Sequence, residues 1–588
     1  MQGVHRLVPI RLRRLARTLR RQGGVPPQPS SAGRERVGDR PPSSGLTVSE
    51  ERLLEEVPGL ISRHGRLALV RDDLLPADAP AANLRATAEA LEAAAVPYAL
   101  VPDGELLHRV AIAPGDRNAA LKACASAFAG LPIYARLLTE HGEADDVLAE
   151  ELQTAVEALE AGGDAAAGSS PSGRGREGQA APGRRVRAVR LYQPVVTSGR
   201  TLAYGPEMGC DLEFWEYPES GEGAVAVLRE TPYGWWVPSL ASSTVSRIGG
   251  RDYPVVDCFS GRFPEDIDFP IDAVITWVDA SDPAWRLRRD QAAETAVAAA
   301  ADNDDGSPRV DLAENRFRDR GELRYCLRSI AAYAPWVRRV FLVTDRQVPA
   351  WLITDHPGVT VVDHREMGAD PHAPAVFNSH AIESRLHHIP GLAEHFLYFN
   401  DDIFLGRLQK PQNYFLPSGL PKVFHDWRAV DPGGRDGDDV FTSSQKVTRQ
   451  AVEVAVGRTY AHILAHAPYP MTRSLFARVE ELLPGRLAAT ARSVFRSADD
   501  LAPVTLAAHI ALAEGHAVEG DALSHVYVST ACRSEIERLP VLVREREHDT
   551  FCLADDEILE ESALPAAQQR NVVAAFLEAY FPVPSPFE

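Results

Sequence analysis

The sequence predicts an α/β protein. It reads as a mostly parallel sheet with helices on its faces and a helical C-terminal part, preceded by a small α/β module and a β-rich segment. Three observations carry this. From Ile271 onward, apolar strand-like runs alternate with helical periodicity, the pattern of parallel strands joined by helices. Three of those runs end in polar residues: Asp279, then Thr344 and Asp345, then Asn400, Asp401 and Asp402. Ligands of parallel sheets sit beyond the carboxyl ends of the strands, so three such ends point to one shared site. Between Val186 and Val256, short β-prone runs broken by Gly and Pro replace the helical pattern.

In chain order, Met1 to Gln22 carries Arg11, Arg13, Arg14, Arg17, Arg20 and Arg21 among Leu7, Ile10, Leu12, Leu15 and Leu19. This is either a basic amphipathic helix lying on an anionic membrane or a solvated tail. With the Pro/Ser/Gly-rich linker that follows, it makes up residues 1–49. Residues 50–161 form an accessory module in the order βαββαβ, compatible with a ferredoxin-like fold. Its strands are expected at Arg66–Val70, Tyr98–Val101, Arg109–Ala113 and Pro132–Leu137, and a last helix at Ala144–Ala161. A flexible linker at 162–185 and the β-rich segment 186–258 lead to the main domain, 259–588.

In the main domain, strands are expected at Ile271–Asp279, Val340–Asp345, Val359–Val362 and Phe396–Phe399. The helix within Asn315–Ala332 places Arg324 and Arg328 four residues apart on one face. His380–Ile389 is a short helix. After Asp402 the pattern turns helical, at Thr448–Leu464, Ser474–Leu483, Val504–Glu514 and Gln568–Tyr580.

Composition narrows the function. With 588 residues the chain can bury several cores, and its 45% hydrophobic and 24% charged residues are ordinary for globular protein. The formal net charge of −20 argues against broad nucleic-acid binding, which needs a positive surface. A locally basic site for an anionic substrate remains compatible. The six cysteines form no CxxC pair, so neither a zinc motif nor a disulfide framework is indicated, and reduced thiols in a cytoplasm fit. No apolar run reaches the roughly 18 residues of a membrane span.

The chemistry concentrates at the tip of Phe396–Phe399. Two adjacent carboxylates, Asp401 and Asp402, are costly there unless a cation joins them. A divalent metal holding a diphosphate is one solution, and a solvated turn is the other. Arg324 and Arg328 offer a face able to grip phosphate bidentately, or a salt-bridged helix surface. His466 sits among Pro and aromatic residues in a loop, with Arg473 seven residues later. His387 lies on an apolar helix, where a histidine is more often structural. Glu383 either orients a cationic group or caps packing.

Four blocks resemble the Stealth family of capsular polysaccharide phosphotransferases, which includes the animal lysosomal-enzyme N-acetylglucosamine-1-phosphotransferase. They are Ile271 to Pro283; Arg316 to Asp402, containing Phe377-Asn-Ser-His-Ala-Ile-Glu383; His466-Ala-Pro-Tyr-Pro470 with Arg473; and Phe551 to Asp556 with Phe581 to Phe587. The likeness covers the C-terminal half, and nothing recognisable covers residues 1–250. Arg320, Ala280, Ala554 and Arg385 depart from the family pattern.

The resemblance implies a nucleotide-sugar-binding sheet. It also implies transfer of a hexose 1-phosphate from a UDP-sugar to a hydroxyl of an oligosaccharide or polysaccharide acceptor, with UMP leaving. On this reading Asp401, Asp402 and Asp555 hold Mg²⁺ or Mn²⁺. Arg324, Arg328, Asn378, Glu383 and Asn400 bind substrate. His466 is the base, with His387 as the alternative, while Arg473 and Asp279 complete the catalytic set. The protein is expected in the cytoplasm, with peripheral contact at the inner face of the membrane if the basic N-terminus provides it. Two other classes stay open: a metal-dependent glycosyltransferase releasing UDP, and a binding protein with a degenerate site.

Overall fold

The structure is a computed structural model that describes residues 45–102, 107–162, 184–218, 221–301, 310–368, 375–435, 438–521, 523–556 and 564–588. The basic stretch 1–22 and nearly all of both linkers lie outside these residues. Among the described residues no helix is long and apolar enough to cross a membrane.

The module expected at 50–161 and the β-rich segment form one unit. Eight strands make one mixed sheet, in the order Thr244–Ile248, Arg251–Val255, Ala99–Leu100, His108–Ile112, Cys210–Phe214, Val186–Tyr192, Tyr134–Thr139, Gly142–Leu148. Helices Ala79–Ala93, Arg117–Ala127 and Leu152–Glu160 pack on it, and residues of both segments share one apolar core. Strand Cys210–Phe214 is central and wholly buried. Its two acids share a face by the period-2 alternation of strands and are neutralised in place, Glu213 by Arg109 and Asp211 by Arg190 and Arg229.

The ferredoxin-like expectation fails because Arg66–Val70 leaves for a separate four-stranded sheet with Leu60–Arg63, Val195–Val196 and Ala203–Tyr204. The helix expected over Ala144–Ala161 divides. Gly142–Leu148 is a strand, clamped to its neighbour by Arg136, which binds both Glu143 and Asp146. The helix begins only at Leu152.

The main domain is built on β1 (Ile271–Thr276), flanked by β2 (Val337–Thr344) and β4 (His395–Asn400), with β3 (Val359–Asp363) beyond β2. These four strands are parallel. The edge strand β6 (Tyr469–Thr472) is antiparallel to β4, so the sheet is mixed rather than uniformly parallel. All six residues of β1 are buried, as expected of a strand covered on both faces. Its one acid, Asp272, is paired with Arg338 and accepts from the Ala393 N–H.

Side chains divide by alternation. Ala273 and Ile275 face helix α1 (Glu322–Tyr333) and the C-terminal helix Ala566–Tyr580, whereas Val274 and Phe396 face helices Arg473–Leu482 and Pro503–Glu514. A second mixed sheet places β8 (Thr550–Ala554) between β5 (Ile403–Leu405) and β7 (His525–Ser529).

Two boundaries move. The helix expected at Thr448–Leu464 runs from Val440 to Val456, stopped by Gly457 at φ 64°, and His462–Leu464 is a strand. Phe259, expected to open the main domain, is buried in the first core, while Ile267 and Phe269 pack on the second. The two units touch. Val583 packs with Ala79, Val195, Leu202 and Tyr204, and Arg546 donates to the carbonyls of Thr201 and Ala579.

Candidate active site

A cavity of about 1110 Å³ opens beyond the carboxyl ends of β1 and β4, where the second sheet and the helical region meet. Eight carboxylates and five guanidinium groups line it, so it is a polar site with excess negative charge.

Its acidic wall is the turn between β4 and β5. Ile403 pairs with Cys552 across β5 and β8, and the Leu553 N–H donates to the Asp402 carbonyl at 3.0 Å. This register sets the Cys552 thiol against Asp402, donating to Oδ2 at 3.5 Å. His466 arrives from the other side. Tyr469 on β6 stands opposite Tyr398 on β4, so the loop before β6 ends at the same tip. His466 Nδ1 lies 3.0 Å from the Tyr469 hydroxyl, and Nε2 lies 3.4 Å from Asp402 Oδ1.

The two neighbouring acids behave oppositely. Burial pushes Asp401 well above the usual carboxylate range, reinforced by Asp402, Glu322 and Asp319. Burial would raise Asp402 as well, but His466, the Cys552 thiol and Arg320 hold it below that range. Asp402 Oδ1 is buried and lacks a well-aligned donor. Crowded carboxylates with an unsatisfied oxygen fit a hard divalent cation such as Mg²⁺ or Mn²⁺, which takes oxygen ligands. Asp401 and Asp402 are the residues that would hold it.

Four of the five lining arginines are already matched to a carboxylate: Arg316 to Asp311, Arg318 to Asp555, Arg320 to Glu322, and Arg428 to Asp426. Arg428 also lies over the Tyr527 ring. Arg496 differs. It is half-buried, donates to the Ser379 hydroxyl, and has no carboxylate within 4.0 Å among the described residues. Burial and neighbouring Arg316 lower its pKa against the pull of Glu383 and Asp311. Below it, burial lifts Glu383 to about 7 against the pull of Arg496 and the Tyr398 hydroxyl, which donates to it at 3.3 Å. His380, on the same wall, is held neutral by burial and by Arg496 and Arg316.

Of the residues expected from sequence, Asn378, Glu383, Asn400, Asp401, Asp402, His466 and Asp555 line this cavity. Two of these are committed elsewhere. Asp555 is gripped by Arg318 through both oxygens, so a metal there would share it with a guanidinium. Asn378 caps helix Ser379–Glu383 and gives its amide to Asp500 and to the carbonyls of Ser493 and Phe495, so it shapes the wall rather than binding substrate.

The remaining residues are not brought together there. Arg328 is buried on α1 against Glu588 and the Phe581 carbonyl, and Arg324 joins Glu588 while lying over Trp351. The pair secures the C-terminal segment instead of a phosphate. Arg473 sits at the far end of β6, bonded to the His387 carbonyl. The antiparallel direction carries the chain away from the site, over four residues at about 3.3 Å each. His387 is buried beside Phe476 and Glu480. Asp279 caps its own turn, accepting from the Ser281 N–H, while its backbone is held by Gln347.

Sequence reasoning missed Arg496, Arg318, Arg428, His380 and Tyr469. Arg318 lay within a quoted motif, flanked by charges that masked it. Arg496 stands in a two-residue strand, Arg496–Ser497, too short for any periodic signal.

Comparison with known proteins agrees with the four blocks. Stealth protein conserved region 1 matches residues 269–295, region 2 matches 316–423, region 3 matches 465–512 and region 4 matches 541–588. The exopolysaccharide phosphotransferase SCO2592 of Streptomyces coelicolor is 38% identical over 93% of this chain, which spans 55% of that protein's length. A second from the same organism, SCO6023, is 36% identical over 91% of this chain and 86% of its own. The exopolysaccharide phosphotransferase CpsY of Mycobacterium tuberculosis is 32% identical over 90% of this chain and 92% of its own. Among solved structures, the galactosyltransferase LgtC in complex with donor and acceptor sugar analogs aligns over 44% of this chain and 92% of its own. That alignment has 10% identity and a TM-score of 0.25, too low to define a shared fold. The matched regions supply both walls of the cavity, Asp401 and Asp402 from the second and His466 and Arg496 from the third, and the chain belongs to the Stealth family of exopolysaccharide phosphotransferases.

Proposed function

We propose that this protein transfers a hexose 1-phosphate, such as N-acetylhexosamine 1-phosphate, from a UDP-sugar to a sugar hydroxyl. The product is a phosphodiester in a cell-surface or capsular polysaccharide. The observation that carries the reading is the pairing of an acidic, cation-ready wall with Arg496, a cation lacking a carboxylate partner, across one cavity. A diphosphate is the ligand that satisfies both.

In this reading Arg496 grips the transferred phosphoryl group. Its planar fork matches two phosphate oxygens, and no carboxylate of the described residues lies within ion-pair distance of it. Asp401 and Asp402 would hold a divalent cation, which would supply positive charge to offset the negative charge developing on the departing UMP. His466 stands with Nδ1 against the Tyr469 hydroxyl and Nε2 toward Asp402 at the cavity wall. There it takes the proton of the acceptor hydroxyl. The acceptor oxygen forms its bond to phosphorus as the bond to the UMP oxygen breaks. Buried Glu383 stays beneath Arg496 as a group able to hold a proton near neutrality. A UDP-sugar donor and the six free cysteines suit a cytoplasmic reaction, at the inner membrane face if residues 1–22 contact it.

The test is incubation with a panel of UDP-sugars, Mg²⁺ or Mn²⁺ and oligosaccharide acceptors, with nucleotide products identified by mass spectrometry. UMP supports attack at phosphorus. UDP would show attack at the sugar carbon and make this a glycosyltransferase. Absence of turnover with every donor would leave only a binding role.

A further inference from the structure

A second cluster of ligating side chains lies at the opposite end of the sheet. His387 and His388 form the single turn Leu386–His388 before β4, and Glu480 projects from helix Arg473–Leu482. The three donor atoms gather within 4.8 Å of one another. We propose that His387, His388 and Glu480 form a binding site for zinc or a similar nitrogen-seeking divalent cation, separate from the catalytic cavity.

The distances decide between a metal site and a simple hydrogen bond. His387 Nε2 lies 3.1 Å and His388 Nε2 3.7 Å from the same oxygen, Glu480 Oε2. A hydrogen bond accounts for the first but not the second. Two ligands on a tetrahedral zinc, with bonds of roughly 2.0–2.1 Å, stand about 3.3 Å apart. The observed pair brackets that value. Two imidazoles and a carboxylate with open solvent beyond make a three-ligand zinc set with a free fourth position.

The surroundings prepare these ligands. The His387 ring is held nearly parallel to Phe476, with 11° between planes, and lies against His388 at 3.9 Å between centroids with the two rings tilted by 37°. Both Nε2 atoms face the same Glu480 oxygen. The His387 Nδ1 is buried without a partner, so Nε2 is the nitrogen offered outward. Arg473 lies behind the turn, bonded to the His387 carbonyl. His388 and Glu480 are about half exposed, which leaves an entry path.

The site would brace the active site from a distance. Thr472, the residue before helix Arg473–Leu482, caps that helix and pairs with His395 at the start of β4. A metal would pin the turn before β4 to the helix after β6, the two strands that carry Asp401, Asp402 and the His466 loop. β4 itself spans about 20 Å, so the cation cannot reach the donor.

The experiment uses the full chain, stripped with chelator, in an Asp402→Asn background to suppress binding in the cavity. Zinc is titrated calorimetrically, and cobalt(II) is added as a spectroscopic probe of tetrahedral coordination. We expect one equivalent of zinc, a tetrahedral cobalt spectrum and a higher melting temperature with zinc. His388→Ala and Glu480→Gln, surface changes that leave the fold intact, should each weaken binding more than about 100-fold, beyond what loss of a supporting contact does. Equal stoichiometry and affinity in these variants and the parent would overturn the site, as would an octahedral cobalt spectrum in all three.

Discussion

Replacing Arg496 by glutamine tests the phosphate assignment most directly. The side chain keeps its length and one donor but loses its charge and fork. A donor aimed at charge that develops in the transition state is worth about 2.7–4 kcal/mol, or roughly 10²–10³ in rate. The upper part of that range applies here. Among the described residues Arg496 has no carboxylate within ion-pair distance, and opposite charges about 4 Å apart attract by about 4 kcal/mol at an effective dielectric near 20. Stability should change little, because Arg496 is half-buried and makes no close ion pair among the described residues. The expected result is transfer slowed about 10³-fold, read as UMP release under saturating donor, with a melting temperature close to the parent's. Arg496→Lys should recover only part of the rate, since it restores charge without the fork. Parental activity in Arg496→Gln would refute the reasoning, and so would a rate loss accompanied by an equal loss of folded protein.

Asp402→Asn should abolish turnover with little change in melting temperature, and chelator should reproduce the defect in the parent. His466→Ala should slow transfer by about 10²–10⁴ while leaving donor affinity unchanged by calorimetry, whereas His387→Ala should lower the melting temperature and spare the rate per folded molecule. Glu383 is raised in the fold to about 7 from its ordinary 4.5. The fold therefore favours its neutral acid, and stability falls as pH rises from about 4.5 to about 7. Glu383→Gln removes that penalty. At about 1.4 kcal/mol per pKa unit, denaturant melts should show a gain of up to about 3 kcal/mol near pH 8 and none near pH 4. Arg328→Ala leaves Glu588 with Arg324 and Ser585, and the Phe581 carbonyl without this donor, and should cost about 1–3 kcal/mol in chemical denaturation without altering donor binding.

What could be read from sequence followed from where one-dimensional signals are strong. Apolar runs gave β1, β2, β3 and β4, and the acids at the end of β4 do form one wall of the cavity. Partnership across the chain was not readable. Arg324 and Arg328 share a helix face with the spacing of a phosphate grip, but their face is set by α1 packing against the C-terminal helix, and Glu588 claims them. Arg473 and His466 are seven residues apart, yet the direction of β6 sends them to opposite ends of the sheet. Local preference over Ala144–Leu148 is weakly helical, and Arg136 on the neighbouring strand overrides it by binding Glu143 and Asp146. Arg66–Val70 was rightly a strand, but nothing local says which sheet it joins.

The seam between β5 and β8 bears on the order in which the enzyme becomes competent during synthesis. Asp402 and Cys552, side by side at the catalytic tip, are 150 residues apart in the chain. At 5–20 residues per second a ribosome needs roughly 8–30 seconds to cover that interval. Throughout it, the β4 tip exists with its acids but with no β8 strand behind them and no Arg318–Asp555 pair closing the far wall. Nascent chains therefore carry the acids of the β4 tip before the cavity has its β8 wall, and the cavity is complete only once β8 has docked.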